Sequence, residues 1–434
     1  MVSKFLFNAL ILAFSLLFTC HSLANTIPIG AEDWGDDDWA EEETSRWLFS
    51  GFVEAGYGHF LQENIVTSNA SLTEITARVN LDYSHEKFEL VTKTELIYDN
   101  IKNDILWKNR EVNISFSPSQ STDVKLGRQI LTWGTGDYIF LNDLFAKNWQ
   151  SFFAGRDDQY LKAPSDSAKG TWYLGDFSLD LTWTPKFTPD IYLTGQRFSF
   201  YSPQTQSLIA PDGYFQVHQT NKEQWASRLS TNKNGVEYAL YGYKGFWPTP
   251  VGMTEIENTS LPYFPKMNAW GASVRLAIAG GLFNAEYANY SSNEDRDGKN
   301  SQIANGQNRL LLGFEREVAK DLTASVQFYL EQTKHYDALI AYSTQPSLEV
   351  DKNRQLFTLR LTYNVFQQKI MMNVFAFYSP TDRDSYFKPS ITYRYNDQWL
   401  LSAGANIFSG DNKHTFFGQH QQNSNAWLRV KVQF

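Results

Sequence analysis

From Arg46 to the C-terminus, apolar and polar positions alternate in runs of roughly ten residues, the mark of strands whose two faces meet different surroundings. In LTASVQFYL, Leu322, Ala324, Val326, Phe328 and Leu330 alternate with Thr323, Ser325, Gln327 and Tyr329. Phe357, Leu359, Leu361, Tyr363 and Val365 alternate in the same way with Thr358, Arg360, Thr362 and Asn364. Ile75, Ala77, Val79, Leu81 and Tyr83 alternate with Thr76, Arg78, Asn80 and Asp82. The pattern predicts an all-β chain.

The connections between these runs alternate in length. Short ones fall at His85-Glu86, 117–122, Gly175-Asp176, 232–234, Gly280-Gly281, 319–321, Gln367-Gln368 and Asn396-Asp397. Long ones fall at 134–167, 185–223, 247–266, 292–306, 335–352, 380–385 and 410–423, with moderate ones at 63–70 and 100–107. Tight turns at one end and long loops at the other predict a transmembrane antiparallel up-and-down β-barrel of the bacterial outer membrane. The count is about 18 strands, with 16 as the lower alternative because 168–200 is ambiguous. A closed barrel is the one sheet that pairs every backbone polar group inside a bilayer.

The two ends agree with that reading. MVSKFLFNALILAFSLLFTCHSLA has Lys4, an apolar run and a small-residue end at Ala24, which predicts a signal peptide over 1–24. Cleavage there removes Cys20, the only cysteine, so no disulfide or thiolate site is expected. At the other end, NSNAWLRVKVQF places Leu428, Val430, Val432 and Phe434 on one apolar face and stops on an aromatic. This strand resembles the assembly signal that the barrel-assembly machinery reads in outer-membrane proteins.

Composition sharpens the picture in two ways. Mean hydropathy is −0.41 although 16% of residues are aromatic, as expected when half of each strand faces water and rings gather at the membrane borders. The net charge of −9 comes largely from EDWGDDDWAEEE, which holds eight carboxylates; removing them and Lys4 leaves 39 acidic against 37 basic residues. A near-neutral body excludes a nucleic-acid footprint. Residues 25–45 read as an acidic periplasmic tail, with 46–434 as the barrel. Trp34, Asp36, Asp37, Asp38 and Trp39 either dock a basic periplasmic partner or belong to a solvated, self-repelling segment.

Charges in the strands belong on the luminal face, because an Arg or Lys at the bilayer midplane costs about 2–4 kcal/mol. Arg78, Lys93, Glu95, Arg360, Arg394, Arg429 and Lys431 are expected there. In LGRQILTWGTGD, Arg128 shares a face with Leu126 and Ile130, and Gln129 shares the other with Gly127 and Leu131. Alternation alone does not say which face is luminal; the cost of an Arg beside lipid places Arg128 inward. It serves there either as a structural ion pair or as a solute contact.

The following loop, 134–167, is too apolar in YIFLNDLF and NWQSFF to hang in water, then turns charged in GRDDQYLKAPSD. It is expected to fold into the barrel as a constriction or plug, with an extracellular cap as the alternative. Arg156, Asp157, Asp158 and Lys162 would then form ion pairs with the wall or face a permeating solute.

The strand ending Gly127-Arg128-Gln129, followed by Trp133-Gly134 and a long loop, resembles porin-like outer-membrane proteins of Gram-negative bacteria, most closely the alginate-export type and related barrels of unknown function. The resemblance implies passage of a solute. It does not extend to alginate, since a polyuronate channel needs a strongly positive lumen and this one is near balance. Some of the related barrels work beside exporters of hydrophobic or lipid-like compounds, which supplies the alternative function, with the acidic tail as the dock.

Other chemistry is weakly represented. Asn293, Asp295, Asp297 and Gly298 match the start of a calcium loop, but Ala304 stands where a bidentate Glu is needed. His59, His85, His218, His335, His414 and His420 are scattered, and none has a nucleophile at a productive spacing. The expectation is therefore a non-enzymatic channel for a small polar or charged solute, without cofactor or metal. Its selectivity is expected to lie with Arg128, Arg156, Asp157, Asp158, Lys162, Arg360 and Arg394. Its partners would be outer-membrane lipid and lipopolysaccharide, the assembly machinery and the solute.

Overall fold

The alternating segments form eighteen strands in the computed structural model, which describes residues 46–210, 217–257 and 259–434. They are β1 (Trp47–Phe60), β2 (Ala70–His85), β3 (Phe88–Asp99), β4 (Asp104–Ser119), β5 (Thr122–Ile130) and β6 (Pro164–Leu174). Then come β7 (Phe177–Thr184), β8 (Gln224–Lys233), β9 (Val236–Phe246), β10 (Lys266–Ile278), β11 (Gly281–Ser292) and β12 (Gln307–Ala319). The series ends with β13 (Leu322–Thr333), β14 (Asn353–Val365), β15 (Ile370–Ser379), β16 (Asp384–Arg394), β17 (Trp399–Gly410) and β18 (Asn425–Gln433).

Each strand pairs antiparallel with the next, and β1 also pairs with β18 from Phe52↔Gln433 to Phe60↔Asn425. The sheet closes without an edge. Two short hairpins, 200–202 with 207–209 and 252–256 with 259–263, sit inside the long connections.

The two strand faces part as alternation requires. Leu240, Trp270, Val326 and Leu428 are each more than half exposed on the outside. Leaving that much apolar surface in water costs about 25 cal/mol per Å², so the outer face is one for lipid. Leu428, Val430 and Val432 point outward while Arg429 and Lys431 are buried inside. Phe434 completes the seam by exchanging backbone hydrogen bonds with Gly51 at 2.9 and 3.0 Å.

Two expectations need correction. The long loop runs from 131 to 163 rather than from 134 to 167, because β6 starts at Pro164 and extends the ladder beyond the charged stretch. Arg128 lies on the outer face with Leu126 and pairs with Val112, whereas Gln129 is the buried, inward residue. Its guanidinium donates to Asn109 O at 2.7 Å and pairs with Asp166 at 3.0 Å, both near the long-loop end. An Arg there reaches the headgroup zone, so the midplane penalty does not apply.

Candidate functional site

The loop after β5 turns into the barrel because its backbone is held by a carboxylate from the far wall. Gly134 takes a φ of 82°, and the amides of Thr135 and Gly136 both point at Glu286 on β11. Thr135 Oγ1 donates to the same oxygen at 2.9 Å and Asn142 Nδ2 to the other, also at 2.9 Å. Glu286 is 2% exposed. Among the described residues no cation pairs with this buried carboxylate, which is satisfied by backbone, hydroxyl and amide donors, the arrangement that turns a glycine-rich bend into an anion-binding nest.

Beyond the turn, Asp137 pairs with Arg360 on β14 at 3.0 Å, and Tyr138 follows with a φ of 55°, left-handed for a bulky residue. The Tyr138 hydroxyl donates to Asp158, whose other oxygen pairs with Lys388 on β16. The ring lies 4.7 Å from that of Phe375, on β15.

A short helix, α1 (Trp149–Ala154), is capped by the Asn148 side chain accepting from Ser151 N at 2.9 Å and ends at Gly155 with a φ of 78°. A Cβ at Gly155 would lie 2.1 Å from the Trp427 ring, so glycine lets the helix dock on β18. Asn406 and Asn425 donate to Phe153 O at 2.9 and 3.0 Å. The rings of Phe152 and Phe153 pack on Tyr386 of β16.

The charged part of the loop is spent on the wall. Arg156 clasps Glu74 on β2, which also holds Arg197 from the next long loop at 2.7 Å, and Arg197 reaches Asp99 on β3 at 2.6 Å. Asp157 pairs with Lys431 at 2.9 Å and Arg429 at 3.5 Å. Those same cations reach Glu54 on β1 at 3.1 and 3.3 Å, across the seam. Burial would raise the Asp157 carboxyl, but these cations hold it down at about 2. Lys162 pairs with Asp143 at 3.2 Å.

Of the residues singled out from sequence, Arg156, Asp157, Asp158, Lys162 and Arg360 thus meet inside the barrel, all engaged with loop or wall. Arg394 shares the inward strand face of Lys388 but stands at the short-turn end of β16, exposed. Trp34, Asp36, Asp37, Asp38 and Trp39 lie outside the described residues. The sequence reading missed Glu286, Glu74, Arg197 and Lys388. Glu286 and Lys388 were visible only as lone charges in apolar strands, and nothing local names their partners 150 and 230 residues away. In the calcium-like segment, Asp295 accepts from the backbone of Lys299 and Asn300 at 3.2 and 3.0 Å, a turn-capping role.

Two sizeable cavities among the described residues border the loop, one of about 550 Å³ that opens among the long loops and one of about 530 Å³ lined by mid-strand charges; Tyr138 and Phe140 line both. The second cavity carries Arg78, Lys93, Arg110, Lys162 and Arg360 against Glu111, Asp137 and Asp158.

His420 backs helix α1, with its ring 5.1 Å from Phe153 and 5.6 Å from Phe408 and Nδ1 bonded to Asn423 at 3.0 Å. Burial drives its pKa down to about 3, so the fold keeps it neutral while the unfolded chain takes up a proton below about 6.5. Its contribution is complete above that unfolded value and is lost as pH falls from about 6.5 towards 3. The melting temperature of the barrel is expected to fall over this window, and His420→Phe should flatten the fall. An unchanged slope in the variant would remove His420 as its cause.

No family model matches the chain, and no curated protein matches it. Among solved structures it is similar to Acinetobacter baumannii OccAB3, with a TM-score of 0.54 and 8% identity, covering 90% of this chain and 100% of that one. Pseudomonas aeruginosa OccD3 (OpdP) gives a TM-score of 0.53 at 12% identity, covering 90% and 91%. OccK5 (OpdH) of the same organism gives 0.52 at 9%, covering 89% and 97%. These are outer-membrane porins, and what this chain shares with them is the fold.

Proposed function

We propose that the protein is a passive channel across the bacterial outer membrane for a small polar solute, narrowed by the 131–163 loop. The observation that carries this reading is the pair of cavities that approach each other from the two sides of the loop and share Tyr138 and Phe140 as their common wall. An 18-stranded barrel is wide enough for an aqueous path, and the two spaces share the rings of Tyr138 and Phe140 in their linings. Both cavities carry charge, so a polar solute finds partners on either side.

The latch on that wall is the Tyr138 hydroxyl on Asp158, itself held by Lys388. Tyr138→Ala removes ring and latch while Glu286, Arg156 and Asp157 keep the loop in place. Single-channel recordings of this variant in a planar bilayer are expected to show larger unitary currents than the wild type. Superimposable traces would take Tyr138 out of the path. A second reading, an outer-membrane component of lipid or hydrophobe export, rests on the acidic segment around Trp34 and Trp39 as its dock.

A further inference from the structure

On the outer face of the barrel, at its long-loop rim, four amide side chains stand in one row across neighbouring strands. Asn289 on β11 is the ladder partner of Asn308 on β12, Asn308 of Gln332 on β13, and Gln332 of Asn353 on β14. Each donates to the next: Asn289 Nδ2 to Asn308 Oδ1 at 2.8 Å, Asn308 Nδ2 to Gln332 Oε1 at 3.2 Å and Gln332 Nε2 to Asn353 Oδ1 at 3.3 Å. Trp270 on β10 continues the row as the partner of Asn289. One step towards the short turns lie Leu310 and Leu330, and Tyr287, whose hydroxyl donates to Asn308 Oδ1 at 3.1 Å. The Trp270 and Tyr287 rings are 5.4 Å apart. An outward amide is costly among lipid tails, and Trp and Tyr favour the membrane border, so the row lies at the headgroup level.

Over this row the chain builds a notch of about 660 Å³, floored by Asn289, Asn308 and Gln332 and walled by 333–338 and Lys352. His335, with a left-handed φ of 52°, turns the chain over the strand end into helix α2 (Tyr336–Tyr342). Lys352 is fixed beside the turn by Thr333 N, which donates to its carbonyl at 2.9 Å. Gln332, His335 and Lys352 are exposed, so the notch is open to whatever lies outside the barrel. Two lysines, Lys334 and Lys352, stand on its wall against one carboxylate, Asp337. Lys334 Nζ spends one donor on Tyr290 O at 2.9 Å, and an ammonium has three.

We infer that this notch binds the phosphorylated sugar headgroup of an outer-leaflet lipid, which in a Gram-negative outer membrane is lipopolysaccharide. Lys334 and Lys352 take a phosphate oxygen, and the amide row takes ring hydroxyls, since an amide with one N–H in the row has a second to offer. Long loops mark the extracellular end of such a barrel, which puts the notch in the leaflet where that lipid resides. A phospholipid head meets the lysines but leaves most of the amide row to water. A solute in the lumen does not reach the notch, because the row faces away from it. The inference rests on the barrel's place in the outer membrane and not on the channel reading.

The test is native mass spectrometry of the refolded full chain in detergent, titrated with lipid A carrying its two inner-core sugars and, separately, with phosphatidylglycerol. One copy of the glycolipid is expected to bind saturably and to outlast phosphatidylglycerol as detergent is stripped away. Asn308→Leu breaks the amide row at its centre, and Lys352→Glu reverses a charge on the wall. Both side chains lie outside the packed interior, and heat-dependent gel mobility checks that each variant has closed its barrel. Each should weaken retention of the glycolipid by about tenfold, the loss of one hydrogen bond to a charged or multiply bonded group. Equal retention of the two lipids, retention of neither, or wild-type retention in both variants overturns the site. So does a multimer that the variants dissociate while lipid binding stays unchanged, which would make the notch an interface between copies of this chain.

Discussion

A chain lacking residues 138–162 is expected to carry several-fold more current per channel than the intact barrel. The excised segment holds the aromatic wall between the two cavities, helix α1, and the charges that reach β2, β16 and β18. Without it the lumen keeps only the cover that the other long loops supply, such as Arg197 on Glu74 and Asp99, and barrels of 16 to 18 strands are wide enough for an aqueous pore. The deletion is also one the fold can bear. Ile130 and Pro164 are paired in the ladder, and 131–137 plus 163 leave eight residues to join them. The measurement is single-channel conductance in a planar bilayer. Equal conductance in the two proteins would deny the loop any part in the constriction. A silent wild type beside a conducting deletion would make the loop a plug that something else must move.

The second large effect is on stability. Glu74→Ala should cost about 3–5 kcal/mol, the usual penalty for removing one partner of a buried ion pair. Glu74, Arg197 and Asp99 are all at most 7% exposed, and Glu74 accepts from both Arg156 and Arg197. In its absence Arg197 keeps Asp99 and Ser71 O, while Arg156 keeps, among the described residues, the Ser151 hydroxyl at 2.9 Å as its side-chain partner. The substitution therefore strands a cation and loosens both long loops at once. Urea unfolding of the barrel in lipid vesicles, followed by heat-dependent gel mobility, reads the change. A shift within about 0.5 kcal/mol, the usual range for a surface substitution, would mean the cluster is not load-sharing in the way its geometry says.

The architecture was legible because a barrel writes itself locally. Alternation in Leu322 to Leu330 and the stop signals at Gly175-Asp176 need no distant partner to be read, and both are where the strands and turns fall. The apolar content of YIFLNDLF and NWQSFF has to be covered somewhere, and Ile139, Leu141, Phe145, Phe152 and Phe153 of these segments are buried in the main apolar cluster. Arg128 was misplaced because its face cannot be settled from the parity of one strand. Leu126 and Ile130 on its own face pointed to lipid, and the argument from desolvation ignored how close the strand end lies to the headgroups. Glu286 escaped for a different reason. Its donors are the backbone amides of Thr135 and Gly136 together with the Thr135 hydroxyl and the Asn142 side-chain amide, neutral groups distant in sequence that carry no charge pattern to read.

The Asp157 cluster ties two things that a channel could have kept apart. Lys431 and Arg429 belong to the last strand of the chain, Glu54 to the first, and Asp157 to the long loop after β5. The loop's other anchors, on β2, β11 and β16, involve neither end of the chain. Closing the seam therefore also completes the loop's anchorage, and a change at Asp157 should be felt at the junction of the first and last strands as well as in the loop.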